Sequence, residues 1–543
     1  MSQYAYLYIE VGGIQSFIFS TGKLREMIGA SQAVVDLTEV LYDGVVQELG
    51  LTPVPEPRPG GGWLVEILKN AGRLRLVMAE TGARRFLSAY SREALTRCPG
   101  LPLYGALTAC DWDNESLKKA GDESSRLLSR QRYSRPAPAG LGLIPFVESA
   151  PRDGLAAAGR GLDNGWLSWP SLAREDRELI TAADRRLKDQ YNPAVREKLD
   201  AVGLPPNTAI RWCDDFSELL DGQEKGRLGL VHIDGNDLGR RFKEYADNIR
   251  TENPADRHKE MAKLSRSIDQ ANKAGLKAAL ARVAAQDGFG HQRTRRKAGD
   301  AVYHVPARPL VMGGDDLTAF VRADLAFDFV RAFVEAFEEA SRAEGKQALT
   351  VGVGLLLMPP GYPFAKAYHL VEDLLGSAKK ATLKAELPRS SSLDWLVLTS
   401  DVESDLDALR QRIYSAPNGL CLTAKPLAPK DGQSFAEAVD DFLARARTVL
   451  EQLPRAQVRA AAEKCRESEE AAGEAFRKLK ENIERELGGR KGEGLIDQAG
   501  FEEIFPGGSF FKEEPKGKKF TALLDYLELA GLFKHGGEDV HAL

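Results

Sequence analysis

Apolar residues recur along this chain in two alternating rhythms, and their order is the first clue to its architecture. Residues 4 to 11, Tyr-Ala-Tyr-Leu-Tyr-Ile-Glu-Val, are aromatic and β-branched and predict a strand. The pair Gly12-Gly13 follows, then an amphipathic segment to about Leu41. Strands are expected next at Gly60-Gly61-Gly62-Trp63-Leu64-Val-Glu-Ile-Leu and Arg73-Leu-Arg-Leu-Val, a helix over about 82 to 95, and a strand near 104 to 109. Strand, helix, two strands, helix, strand is the ferredoxin-like βαββαβ plan. The pattern then repeats, with a strand at 229 to 234, helical sequence over about 264 to 285, a hairpin centred on Asp315, a helix over about 327 to 343 and the strand Leu349-Thr-Val-Gly-Val-Gly-Leu-Leu-Leu. The fold class is therefore expected to be α+β, two ferredoxin-like units with further segments around them. The first unit has Gly61-Gly62-Trp63-Leu64 where the second is expected to have Gly313-Gly314-Asp315-Asp316.

Between the repeats, residues 113 to 226 are charged and rich in Arg, Pro and Gly, with a break at Arg-Gln-Arg-Tyr-Ser-Arg-Pro-Ala-Pro-Ala and a helical pattern at about 172 to 200. After the second repeat a helix is expected over about 365 to 384. From about 401 the chain turns helical, with segments at 435 to 453, 458 to about 487 and near 520 to 530. Alternating charges over 455 to 487 mark an exposed helix face that suits a partner. These shifts divide the chain into residues 1–112, 113–226, 227–400 and 401–543.

Composition narrows the picture. The chain has 543 residues, long enough for three or four domains, and no apolar run approaches the roughly 20 residues of a membrane helix. It begins Met-Ser-Gln-Tyr, without a basic stretch before an apolar core, so no signal peptide and a cytoplasmic location are expected. A net charge of −5 argues against a molecule that binds nucleic acid by its overall field, so RNA contact would fall to local basic patches or partner subunits. One such patch is His291-Gln-Arg293-Thr-Arg295-Arg296-Lys297. Five scattered cysteines, none in a CxxC pair, argue against a cysteine zinc site.

The candidate chemistry lies in the second repeat. Leu310-Val-Met-Gly313-Gly314-Asp315-Asp316-Leu317 carries two repelling carboxylates at a hairpin tip, where a divalent cation is the natural neutraliser. Upstream, Ile233-Asp234-Gly235-Asn236-Asp237-Leu238-Gly239 ends a strand in another carboxylate. If the two segments share a sheet edge, Asp234, Asp315 and Asp316 supply oxygen ligands for Mg²⁺ or Mn²⁺ bound with a nucleotide triphosphate. The helix over 365 to 384 carries Lys379 and Lys380, one of which can face the phosphates, since adjacent helical residues diverge by about 100°. Glu10, alone on the first strand, cannot build a two-metal site.

Taken together, Gly12-Gly13-Ile14-Gln15-Ser16-Phe17-Ile18, Asp234 to Gly239, Gly313-Gly314-Asp315-Asp316, and Tyr362-Pro-Phe before Ser377-Ala-Lys379-Lys380 resemble the twin-palm polymerase/cyclase subunit of type III CRISPR effector complexes. The resemblance implies a nucleotidyl cyclase that converts ATP to cyclic oligoadenylate when its complex, with other subunits and guide RNA, binds target RNA. By position it implies Asp234, Asp315 and Asp316 as catalytic metal ligands, with Gly235, Asn236, Gly313, Gly314 and Lys379 or Lys380 at the nucleotide. The family's HD nuclease domain and its cysteine cluster are not found, so DNA cleavage is not expected. A stand-alone cyclase making a cyclic dinucleotide, or a scaffold that only binds nucleotide or RNA, are the competing readings. The acid cluster argues against the scaffold.

Overall fold

The computed structural model describes residues 4–70, 72–134, 148–220, 226–286, 302–342, 348–384, 390–398, 405–416, 419–430, 432–489, 501–502, 504–505, 509–513 and 519–531. The basic stretch 291–297 lies outside these residues. The chain falls into two compact units. One comprises Met1–Gly222, Asp237–Ala319 and Pro363–Ala365; the other comprises Gln223–Asn236, Phe320–Tyr362 and Lys366–Leu543.

The fold is α+β and is built on two five-stranded sheets. The first contains β1 (Tyr4–Val11), β2 (Thr52–Pro53), β3 (Trp63–Asn70), β4 (Arg73–Met78) and β5 (Leu103–Cys110), in the order β2-β3-β4-β1-β5. β1 runs antiparallel to both neighbours, β4 and β5, and is buried along nearly its whole length, as its aromatic and β-branched sequence requires. The helices Glu80–Arg97 and Asn114–Ser134 pack on β1 and β5. Within residues 148–220 lie a hairpin of β6 (Ala157–Arg160) and β7 (Trp166–Ser168), the helices Trp169–Arg174 and Arg177–Ala201, and the short strand β8 (Ala209–Trp212).

The second sheet contains β9 (Leu228–Gly235), β11 (Ala307–Gly313), β12 (Asp316–Arg322), β13 (Val351–Met358) and β14 (Ser392–Val397), in the order β11-β12-β9-β13-β14. A separate strand, β10 (Val302–Val305), pairs in parallel with β8. Without the edge strands β2 and β14, both sheets read second, third, first, fourth in chain order, the arrangement expected of two ferredoxin-like units. β9 pairs antiparallel with β13 as β1 does with β5.

The duplication reaches the backbone beyond the first strand. Gly13 precedes the helix Ile14–Ile18 at φ 61°, ψ 34°; Asp237 precedes the helix Leu238–Asn248 at φ 57°, ψ 29°. Both sit three residues after the strand's penultimate acid, Glu10 in one case and Asp234 in the other. One detail of the sequence correspondence is corrected. Gly61 and Gly62 stand before β3, not at the β3–β4 turn; the counterpart of the Gly313–Asp316 turn lies between Asn70 and Arg73, with Gly72 at φ 76°.

In the second unit the helix Ala326–Ser341 packs on β9 and β13, and the helix Phe435–Gln452 packs on it in turn. Ser434 and Glu437 form a capping box that starts the second of these helices where the sequence places it. The stretch expected as one helix over 458 to 487 is two, Arg455–Glu467 and Glu469–Gly489, packed against each other. Ser468 breaks it: its backbone is extended and its hydroxyl accepts from the Ala471 amide, which starts a new helix. No helix among the described residues is long and apolar enough to cross a membrane.

Candidate active site

The site is built from the end of β9. Asp234 lies opposite Gly352 of β13 in the antiparallel register, and the helix Phe364–Lys384 runs across β13. Helices normally stand off a sheet by the bulk of the strand's side chains. Here two glycines remove that bulk on one face, because residues two apart on a strand point the same way. A Cβ at Gly354 would stand 2.3 Å from the Val371 carbonyl oxygen and 2.8 Å from the Leu375 amide nitrogen. A Cβ at Gly352 would stand 2.6 Å from Cγ of Lys379 and 3.1 Å from Cδ1 of Leu375. The helix therefore lies directly on the strand, and the Lys379 stem passes over Gly352 to reach Asp234.

Its ammonium forms an ion pair with the Asp234 carboxylate and donates to the Gly235 carbonyl oxygen at 3.0 Å. Both side chains are partly open to solvent, Lys379 at 25% and Asp234 at 36%. An exposed pair of this kind adds at most about 1 kcal/mol to stability. Its consequence is positional. A carboxylate and a main-chain oxygen converge on one cation, and oxygen donors of that kind suit a hard divalent ion. Lys380, the next residue, is exposed.

Asn236 is anchored within the second unit. It is buried, its amide donates to the Thr350 carbonyl at 2.8 Å, and its side chain donates to the Thr350 hydroxyl at 3.1 Å. It ties the end of β9 down. Asp237 adopts the left-handed conformation that Asp tolerates better than most residues, and its carboxylate pairs with Arg240 at 2.8 Å.

The Gly313–Asp316 segment forms the expected turn. β11 ends at Gly313 and β12 begins at Asp316, leaving Gly314 and Asp315 as the loop. Gly314 has φ 61° with open space where a Cβ would stand, so its backbone angle, not crowding, calls for glycine. Asp315 and Asp316 are half-buried. A buried Asn272 on the helix Pro254–Gln286 donates its amide to the Gly314 carbonyl at 2.9 Å and to the Asp316 carbonyl at 3.2 Å, clamping the turn from both sides. Thus Asp234, Gly235 and Lys379 meet in one unit, and Gly313 to Asp316 are held by Asn272 in the other.

Asn272, Gly352 and Gly354 escape a reading of sequence motifs. Alternating glycines inside an otherwise apolar strand are the one available signal, since a glycine there marks a close backbone approach.

The first repeat carries a different arrangement at the corresponding place. Glu10 is buried and paired with Arg73, at 3.2 Å, and with Arg132 from the helix Asn114–Ser134. Arg73 opens β4, the position that Asp316 holds in β12.

Residues 227–387 match the family model for the second palm domain of Cas10/Cmr2. No curated protein matches the chain. Similar solved structures include the Csm1–Csm4 cassette in complex with cA4, at 17% identity and TM-score 0.41. The same cassette in complex with one ATP has 16% identity and TM-score 0.42, and the Csm1–Csm4 subcomplex in the type III-A CRISPR-Csm interference complex has 17% and 0.39. Each match covers 70% of this chain and 53% of that chain, so the protein spans about half the length of the solved chains it matches. Over residues 227–387, then, the chain carries a second palm domain of the Cas10/Cmr2 family.

Proposed function

We propose that the chain is a metal-dependent nucleotidyl cyclase of the type III CRISPR effector kind, converting ATP to cyclic oligoadenylate when its complex engages target RNA. One observation carries the reading: inside a segment that matches the Cas10/Cmr2 second palm, a strand-end carboxylate, Asp234, is held against Lys379 across a strand cleared by glycines. In this reading Asp234, Asp315 and Asp316 hold Mg²⁺ or Mn²⁺, Gly313 and Gly314 leave backbone open to the nucleotide, and Gly235 borders it with its carbonyl held by Lys379. The ion, when bound, favours deprotonation of a ribose 3′-hydroxyl and neutralises charge on the phosphates. Lys379 offers its ammonium from the same strand end to triphosphate oxygens, as a point charge with three donors. Asn272 and Asn236 keep the turn and the strand end in place, so the acids need little reorganisation on reaction. Residues 1–112, 113–226, 227–400 and 401–543 serve as first palm, interposed subdomain, second palm and helical domain, and guide RNA, target RNA and other complex subunits are the partners.

The test is to incubate the purified protein, alone and assembled with guide and target RNA, with ATP and Mn²⁺ or Mg²⁺, and to identify products by mass. Cyclic oligoadenylate that depends on target RNA supports the reading. A cyclic dinucleotide made by the protein alone would instead support a stand-alone cyclase, and no nucleotide product under either condition would overturn the proposal.

A further inference from the structure

Away from the palm acids, three side chains that lie far apart in sequence converge. Cys213 follows β8, His304 is on β10, and Glu218 is on the helix Phe216–Leu219. The parallel pairing of β8 with β10 sets Arg211 opposite His304 and Trp212 opposite Val305, which delivers Cys213 beside His304. The Cys213 thiol is fully buried and donates to the Val305 carbonyl at 3.4 Å. Asp215 caps the short helix by accepting from the Ser217 amide at 2.8 Å, and Glu218 on that helix accepts from the Asp214 amide at 3.4 Å. Glu218 Oε2 lies 3.9 Å from Nδ1 of His304. One ligand atom from each residue, sulfur, ring nitrogen and carboxylate oxygen, lies within 4.8 Å of the other two.

We propose that Cys213, His304 and Glu218 bind a single divalent transition-metal ion, zinc by the softness of the set, with a water or a fourth ligand completing a tetrahedron. Thiolate, imidazole and carboxylate together suit Zn²⁺ and do not suit Mg²⁺ or Ca²⁺, which take oxygen ligands. Bond lengths of about 2.0–2.3 Å require ligand atoms roughly 3.5 Å apart, so the cluster closes by small side-chain movements. Arg308, whose positive charge acts on the Cys213 thiol, is paired with Asp184 at 2.7 Å. Burial and the neighbouring Glu218 carboxylate hold the thiol well above its ordinary pKa, so it enters the site protonated. Binding releases that proton to solvent and exchanges the S–H bond to Val305 for a sulfur–metal bond, so affinity falls as pH is lowered. The ion would pin the end of the 148–219 segment to β10, the strand just before the hairpin that carries Asp315 and Asp316. Cysteine spacing gives no hint of this, because the ligands are three different residue types spread over about ninety positions.

The experiment uses the full chain, stripped with chelator and titrated with Co²⁺, then with Zn²⁺ against a metal-binding dye. We expect one equivalent of Co²⁺ with a thiolate-to-cobalt charge-transfer band and the intense visible absorption of four-coordination. Cys213→Ser should abolish that band. Glu218→Gln, at a half-exposed position, should weaken Zn²⁺ binding by about tenfold or more while the melting temperature without metal stays close to that of the wild type. Asp315→Asn with Asp316→Asn should leave both signals intact, which separates this site from the proposed cyclase metals. Absence of a thiolate band, a band that persists in Cys213→Ser, or unchanged Zn²⁺ affinity in Glu218→Gln would overturn the assignment.

Discussion

Adding a single methyl group at Gly352 or at Gly354 tests how the palm positions Lys379. At Gly352 the new Cβ meets the Lys379 side chain, Cγ at 2.6 Å and Cε at 3.2 Å, and the tip of Leu375 at 3.1 Å. Those atoms can swing aside at a rotamer cost of about 0.5–1.5 kcal/mol. The loss is offset by about 0.4–1 kcal/mol because alanine restricts the unfolded chain. Gly352→Ala should therefore change stability by no more than about 1 kcal/mol while displacing Lys379 from Asp234. At Gly354 the Cβ meets main-chain atoms, the Val371 oxygen at 2.3 Å and the Leu375 nitrogen at 2.8 Å, and neither can move without the helix. The helix must lift by roughly 1 Å, and such overpacking costs about 1–3 kcal/mol. Hydrogen exchange of β13 and of the helix Phe364–Lys384, read alongside ATP cyclisation, separates the two. A local cost of about 1–3 kcal/mol accelerates exchange by roughly 5- to 150-fold in Gly354→Ala, whereas Gly352→Ala should stay within about fivefold of wild type. Cyclisation should fall in both. Wild-type cyclisation in Gly352→Ala would refute the claim that the glycine serves Lys379, and unchanged exchange in Gly354→Ala would refute the close seat of the helix.

Three further outcomes follow from the same structure. Asp315→Asn with Asp316→Asn should keep or slightly raise the melting temperature measured without metal, because repulsion at the turn is relieved, while cyclisation falls roughly 10²- to 10⁴-fold and metal-dependent stabilisation disappears; full activity would sink the catalytic role of the turn. Lys425, fully buried, pairs with Glu528 at 2.7 Å and Asp525 at 3.5 Å and lies over the Trp395 and Tyr414 rings, so Lys425→Met should destabilise the second unit by about 3–5 kcal/mol in urea unfolding, and a loss under about 1 kcal/mol would contradict it. His258 is pushed down to about 4 by burial and the neighbouring Arg257, so its neutral form stabilises the fold. That contribution is complete above its unfolded pKa of about 6.5 and is lost as pH falls through the window to about 4, so His258→Gln should flatten the acid side of the stability profile, and an unchanged profile would count against it.

What the sequence made legible was whatever lies close along the chain. The strand at Tyr4–Val11, the strand ending at Asp234 and the Gly313–Asp316 turn could be read because residue type, period and turn chemistry act within a few positions. The duplicated sheet order followed from the sequence of those elements. The rest depends on contacts between distant segments. Asn272 clamps a turn more than forty residues away, Gly352 matters only because a later helix lies on it, and Cys213 meets His304 only through the pairing of β8 with β10. The Gly61–Gly62 correspondence failed for a related reason: a glycine pair marks a turn or a strand entry equally well, and only pairing tells them apart. Ser468 shows the same ambiguity in a helix, since a serine at that point is tolerated inside a helix or caps a new one.

The two repeats also explain why chemistry is assigned to one of them. Both carry an acid at the penultimate position of their first strand, followed three residues after it by a left-handed residue, and both place a turn before the third strand. The difference is charge. In the first repeat Arg73 opens the third strand, directly across from Glu10 in the register, and Arg132 adds a second guanidinium from a neighbouring helix. Two permanent cations thus satisfy a buried carboxylate, and a divalent ion entering there would have to displace both and leave them without a partner. In the second repeat the third strand opens with Asp316, preceded by Asp315, and among the described residues Asp234 is paired with a lysine that is itself partly exposed. Removing one partly exposed ammonium from a carboxylate costs little, so this acid remains available to an incoming cation. The first repeat thus carries its positive charge in covalent form, whereas in the second the proposed cyclase reading assigns that charge to a cation that arrives with substrate.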